Sequence, residues 1–104
     1  MKSMSLHTEK VLAELNQTFQ IVWEKHLPRL SRSVLQALIN SNGTCTARMI
    51  SDLSEIDVNK ASVILGRLVK LGYVEEEKVN RRLKKYRLSE NHKWFFLWAK
   101  RNEK

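Results

Sequence analysis

The sequence predicts a mostly α (α+β) fold, several helices and one two-stranded β-hairpin in a single domain over residues 1–104. Apolar residues recur every three or four positions along most of the chain, which is the helical period. One stretch near residue 80 alternates instead, and helix-capping residues separate the periodic segments.

Residues 5–26 form the first predicted helix, with Leu6, Val11, Leu12, Leu15, Phe19, Val22 and Trp23 on one stripe. Pro28 ends it, because the residue before a proline is pushed out of helical geometry. Ser31 is the expected cap of a second helix that turns Val34, Leu35, Leu38 and Ile39 inward, and Asn40 to Gly43 stops it. Thr46 caps a short third helix with Met49, Ile50 and Leu53 as its apolar positions. Ser54 and Glu55 make a tight turn, Ile56 anchors its far side, and Asp57 caps a fourth helix that buries Ala61, Ile64, Leu65 and Leu68. Gly72 stops that helix. Two short helices joined this way make a helix-turn-helix.

Residues 73–79 and 83–88 are then extended around an Asn80-Arg81-Arg82 tip, with Tyr86 and Leu88 alternating with Lys85 and Arg87. Tyr73 and Tyr86 pack the base of this hairpin. Ser89 or Asn91 caps a last helix at residues 90–101. The order over residues 31–90 is that of a winged helix-turn-helix with a two-stranded β wing, flanked by N- and C-terminal helices suited to dimerisation.

Charge points to the partner. The chain carries 19 Lys and Arg against 11 Asp and Glu, a net charge of +8. Residues 1–42 hold five basic and three acidic side chains, whereas residues 43–104 hold fourteen and eight. Six basic side chains and no acid fall within residues 78–87. A local basic patch on a folded domain matches phosphate, and scattered charge would be expected of a surface selected only for solubility.

Cys45 stands alone, the three histidines follow no ligand spacing, and three glycines cannot build a phosphate-binding loop. The expectation is therefore no enzyme, no cofactor and no metal. The longest uncharged apolar run, residues 94–99, is far too short to span a bilayer, and the N-terminus lacks the features of a signal peptide. A cytoplasmic, nucleoid-associated protein without a membrane partner is expected.

The second helix of a helix-turn-helix fits the major groove, where each base pair shows a distinct donor and acceptor pattern. Here its outer face offers Asn59, Lys60, Ser62, Val63, Arg67 and Lys70, with no carboxylate after Asp57. Asn and Arg suit adenine and guanine edges, Ser suits either, and Val63 suits a thymine methyl. A mixed polar face is also what an ordinary solvated helix shows. The hairpin tips the balance, since Glu75, Glu76 and Glu77 lie at its base and Arg81, Arg82, Lys84 and Lys85 at or near its tip.

Residues 46–90 resemble the MarR family of winged-helix regulators. The stretch VNKASVILGRLVKLGYVEEEKVNRRLKKYRLSE is similar to the family's recognition helix, wing and following Leu-Thr. Residues 68–74 match the helix end, Asn80-Arg81-Arg82 takes the place of the wing motif, and Leu88-Ser89 replaces Leu-Thr. The resemblance implies that Arg82 enters the minor groove. It places Asn80 where the family has an aspartate that holds this arginine, so the position lacks its charge. It also implies dimerisation through the terminal helices, although the last predicted helix is shorter than the family's C-terminal region.

The aromatic cluster of the last helix, Trp94, Phe95, Phe96 and Trp98, has two readings. It is core within one chain, or a dimer interface in which Trp94, Phe95 and Trp98 join Leu12, Leu15, Phe19 and Trp23. Cys45 is either a small buried side chain or a redox-sensitive thiol. His26 suits the C-terminal end of a helix dipole. The function expected is sequence-specific regulation of transcription by a homodimer on double-stranded DNA. The sequence assigns no small-molecule effector. The rival expectations are an architectural chromosome protein of low sequence preference and a winged-helix module for protein–protein contact.

Overall fold

The computed structural model describes residues 6–41 and 43–101, with side chains from residue 14 onward. Helix α1 (Leu6–Ile21) runs on into a wider π-helical turn, Val22–His26, and the helix ends at Leu27, whose backbone is extended (φ −113°, ψ 119°) ahead of Pro28. Helix α2 (Arg29–Ser41) follows at once. Ser31 is not its cap. The Pro28 carbonyl accepts the first helical bond, from Arg32 N at 3.0 Å, and Ser31 is buried inside the first turn. Proline lacks only an N–H that a helix start leaves unbonded anyway, so the chain enters the helix without a hydroxyl cap.

Helix α3 (Ala47–Ser54) is capped by Thr46, whose hydroxyl accepts from Met49 N at 3.2 Å. Its inward face differs from the expected one. Ile50 is buried, but Met49 is 46% and Leu53 58% exposed. The inner stripe is Ala47, Ile50, Ser51 and Ser54, three small residues around one anchor, which lets α3 lie close to its neighbours. The Ser51 and Ser54 hydroxyls donate to the Ile56 and Ile50 carbonyls, so they enter the packed side satisfied. Glu55 takes the left-handed conformation at φ 58° to close the turn, and Ile56 N–H donates to Ser51 O at 3.2 Å.

Helix α4 (Val58–Leu71) is fixed at both ends. Asp57 Oδ2 accepts from Asn59 N and Lys60 N, and Gly72 at φ 88° sends its N–H to Leu68 and Val69 carbonyls. A side chain is disfavoured at that left-handed stop. Strands β1 (Val74–Lys78) and β2 (Lys84–Leu88) pair antiparallel from Val74↔Leu88 to Lys78↔Lys84. Cys45 adds an isolated bridge to the free side of β2, exchanging backbone hydrogen bonds with Tyr86 at 2.9 and 2.7 Å. Ser89 then caps a 3₁₀ turn, Glu90–His92, which leads into α5 (Lys93–Arg101).

Val34, Leu35, Leu38, Ile50, Leu65 and Leu68 form the most deeply buried part of the core, where α2, α3 and α4 meet. Each such side chain contributes about 1.5–3 kcal/mol by burial. A second, aromatic layer ties the chain ends together. Phe19 and Trp23 from the first helix and its wide turn pack on Phe95 and Trp98 of α5, with Trp98 stacked on Phe95 at 10°. Trp98 Nε1 donates to Asn16 Oδ1 at 2.6 Å, so this ring is held at both its flat face and its polar edge. The mostly helical winged helix-turn-helix with a two-stranded wing is thus present.

Candidate nucleic-acid interface

The outer face of α4 is set by what its inner face must do. Ala61, Ile64, Leu65 and Leu68 are buried against the core, which forces Asn59, Lys60, Ser62, Val63, Arg67 and Lys70 outward. At 100° per residue, Asn59, Val63 and Lys70 run down the middle of the exposed arc, with Ser62 on one flank and Lys60 and Arg67 on the other. Val63 is 62% exposed, a large fraction for a branched apolar side chain. The carboxylate that caps this end of the helix, Asp57, is bound to backbone N–H groups of the first turn. The result is a polar, cationic face without acids.

The wing sorts its charges by position along the strands. At the base, Arg87 Nε donates to Glu75 Oε1 at 2.8 Å, and this carboxylate raises the arginine's pKa. One step further out, Lys84 Nζ lies 3.5 Å from Glu76 Oε2. Glu76 also faces Tyr86 across the strands, where burial first and then this carboxylate raise the phenol's pKa. Lys78, Arg81, Arg82 and Lys85 have no ion pair among the described residues. Lys78 stands directly opposite Lys84, an unfavourable like-charge pairing that an anion beside the tip would relieve.

The tip itself is held by Asn80. Its Oδ1 accepts from the backbone N–H of Arg82 at 2.9 Å and of Leu83 at 3.0 Å, while Val79 and Asn80 N–H groups donate to Leu83 O. This is an Asx-type turn. The asparagine therefore fixes the backbone of the wing rather than the Arg82 guanidinium, and the departure from an aspartate acquires a reason: a neutral amide oxygen suffices for two N–H donors. Arg81 and Arg82 project from this turn as exposed cations.

The structure brings the ten expected DNA-contacting residues onto two surfaces, the α4 face and the distal wing, and all ten are exposed. Lys78, in the same basic run, is also exposed and has no ion pair among the described residues. The residues expected at a dimer interface separate. Phe95 is 4% exposed within its own chain, and Phe19, Trp23 and Trp98 are half-buried around it, so Phe95 has no surface left for a partner. Leu15 and Trp94 are exposed, the latter at 73%. The side chain of Leu12 lies outside the described residues. Cys45 is buried and its thiol donates to Ser41 Oγ at 3.2 Å. No described helix is long and apolar enough to cross a membrane.

Solved structures share this arrangement. A MarR-family transcriptional regulator from Silicibacter pomeroyi superposes with a TM-score of 0.60 at 20% identity, over 90% of this chain and 60% of that one. Bordetella bronchiseptica BpsR, whose DNA binding is regulated by 6-hydroxynicotinic acid, gives 0.63 at 16% identity, over 97% and 76%. The type III plasmid segregation protein TubR gives 0.65 at 15% identity, over 99% and 92%. These likenesses are of fold. This chain spans 60% of the Silicibacter protein's length. Comparison with curated protein sequences finds no match. The sequence profile of TrmB, described as a sugar-specific transcriptional regulator, matches residues 31–91, which run from α2 through the wing into the 3₁₀ turn. A match over more than half of the chain, on the segment that builds the helix-turn-helix and its wing, places the protein in the TrmB family of transcriptional regulators on a winged-helix fold that MarR-family regulators share.

Proposed function

We propose that this protein is a sequence-specific double-stranded DNA-binding regulator that acts as a homodimer in the cytoplasm, associated with the nucleoid. One observation carries the reading: the exposed face of α4 is polar, cationic and free of carboxylates, and it stands beside a wing whose unpaired cations gather at the tip. Asn59, Ser62, Val63 and Arg67 are assigned to base edges in the major groove. Lys60, Lys70, Arg81, Lys84 and Lys85 are assigned to phosphates, and Arg82 to the minor groove or its backbone. Exposed Leu15 and Trp94 are the apolar surface offered to a second copy, with the outer edges of Phe19, Trp23 and Trp98.

Selection of bound sites from a random duplex pool, followed by competition against bulk DNA, tests this. A two-fold symmetric consensus is the expected result, because a dimer reads two half-sites about one helical turn apart. Light scattering at micromolar concentration should give about twice the 12.2 kDa chain mass. A monomer that binds duplex tightly would remove the dimer.

A second reading has its own support. TubR, a plasmid segregation protein, is matched over nearly the whole of both chains. An architectural DNA-binding role with little sequence preference would use the same wing and rest mainly on phosphates. Selection that enriches no sequence would favour it.

A further inference from the structure

Gly66 lies in the middle of α4, four residues after Ser62 and four before Lys70; it falls on the outward arc by helical phase and is half-buried between its exposed neighbours. Glycine is the poorest helix former after proline, so an interior glycine needs a reason. The folded chain supplies none. Beyond its two chain neighbours and its own helix backbone, a methyl group at Gly66 would meet no described atom within 4 Å, and its backbone is not in the left-handed region that favours glycine. Gly72, by contrast, is required at φ 88°. No contact within the described protomer accounts for the glycine.

We propose that Gly66 is the point of closest approach between α4 and duplex DNA, a notch that lets the helix seat against the base-pair edges. The surrounding chemistry selects DNA over another protein surface. Asn59, Ser62, Val63, Arg67 and Lys70 share the arc, all exposed and none acidic. Removing the side chain there lets the helix axis approach the groove floor, so that the short side chains of Asn59, Ser62 and Val63 reach base edges. A methyl at Gly66 pushes the helix outward and lengthens every one of those contacts. This inference rests on the duplex-binding reading above and adds to it a residue that makes room rather than contact.

The test pairs stability with binding in the full chain. Gly66→Ala should raise the melting temperature by roughly 2–8 °C, since alanine is the better helix former. The same substitution should weaken binding to a short duplex carrying the selected site by about tenfold or more, and Gly66→Leu should weaken it further. Gly43→Ala, in the loop before Cys45 and also free of close neighbours beyond Ser41 O at 3.9 Å, serves as the control that should bind as the parent does. Unchanged affinity in Gly66→Ala overturns the proposal, as does a lowered melting temperature, which would mean the fold itself needs the glycine. Loss of binding accompanied by loss of the dimer in light scattering also overturns it, because the notch would then serve a protein contact. If the parent protein binds no duplex at all, the underlying reading has failed, and the parent arm alone shows this.

Discussion

Helix α4 and the wing that packs against it each present exposed cations, by opposite means. Four buried side chains, an Asp57 cap and a Gly72 stop hold α4 so that its outer residues have fixed positions. The wing is a ladder of five residue pairs, and its tip is set by one asparagine side chain and a pair of backbone bonds to Leu83. Arg87 near its base is paired with Glu75 and Lys84 reaches back to Glu76, while Lys78, Arg81, Arg82 and Lys85 have no ion pair among the described residues. A surface that discriminates between bases needs fixed geometry, because a hydrogen bond is lost within a few tenths of an ångström. A surface that meets phosphates needs net charge and tolerates movement. If α4 reads bases and the wing holds phosphates, as proposed, that division of labour follows from how each element is anchored.

The largest expected effect removes the anchor of the reading element. Leu65 is fully buried beneath α4. Leu65→Ala should lower stability by about 2–5 kcal/mol, measured by urea denaturation. Binding to the selected site should fall more than binding to bulk DNA at temperatures where the variant is still folded. Equal losses on both would show that rigidity beneath α4 does not matter to reading.

What the sequence made legible was local. Thr46, Asp57, Gly72 and Ser89 act as caps and stops where expected, because a cap is satisfied by N–H and C=O groups within four residues. The stripe of α4 was legible because fourteen residues repeat it across four turns. The eight-residue α3 offers two turns, too few to fix the phase of a stripe, and its serines satisfy themselves locally in a way that composition conceals. Ser31 misled because Pro28 already starts α2. Long-range contacts had no sequence signal: Cys45 bridges Tyr86, and Trp98 reaches Asn16 from 82 positions away. In the site, all ten expected residues proved exposed, yet the role of Asn80 was not legible, since its side chain serves the backbone N–H groups of Arg82 and Leu83 instead of a guanidinium.

A smaller effect separates the two surfaces directly. Arg67→Ala or Asn59→Ala should lose about 1–3 kcal/mol on the preferred duplex and little on random DNA. Arg82→Ala should weaken both by similar factors, unless the minor groove at its position is narrow and A·T-rich. Parallel titrations of each variant on both duplexes decide the matter. If the α4 variants lose equally on both, α4 is not reading bases and the architectural account is the better one.

The smallest effect divides the wing against itself. Affinity of the parent should fall with salt along a slope on the order of −5 or beyond, since counterions leave each contacted phosphate. Replacing Arg81 and Arg82 together by alanine should reduce that slope by about two units, close to one per cation seated on a phosphate. Replacing Lys84 and Arg87 together should reduce it by only about one, since Lys84 is assigned to a phosphate and Arg87 is not. Both substitutions remove the same formal charge, so a long-range field alone would make them equal. They differ in place: Arg87 lies five residues from Arg82, about 16 Å along an extended strand, and it is held by Glu75 at 2.8 Å. Surface ion pairs are individually weak, about 0–1 kcal/mol, so pairing alone would not keep Arg87 from a phosphate within reach. Distance does. Equal slopes for the two double variants would mean that the wing lies along the duplex for its full length, and the sorting of its charges would then have nothing to do with the tip.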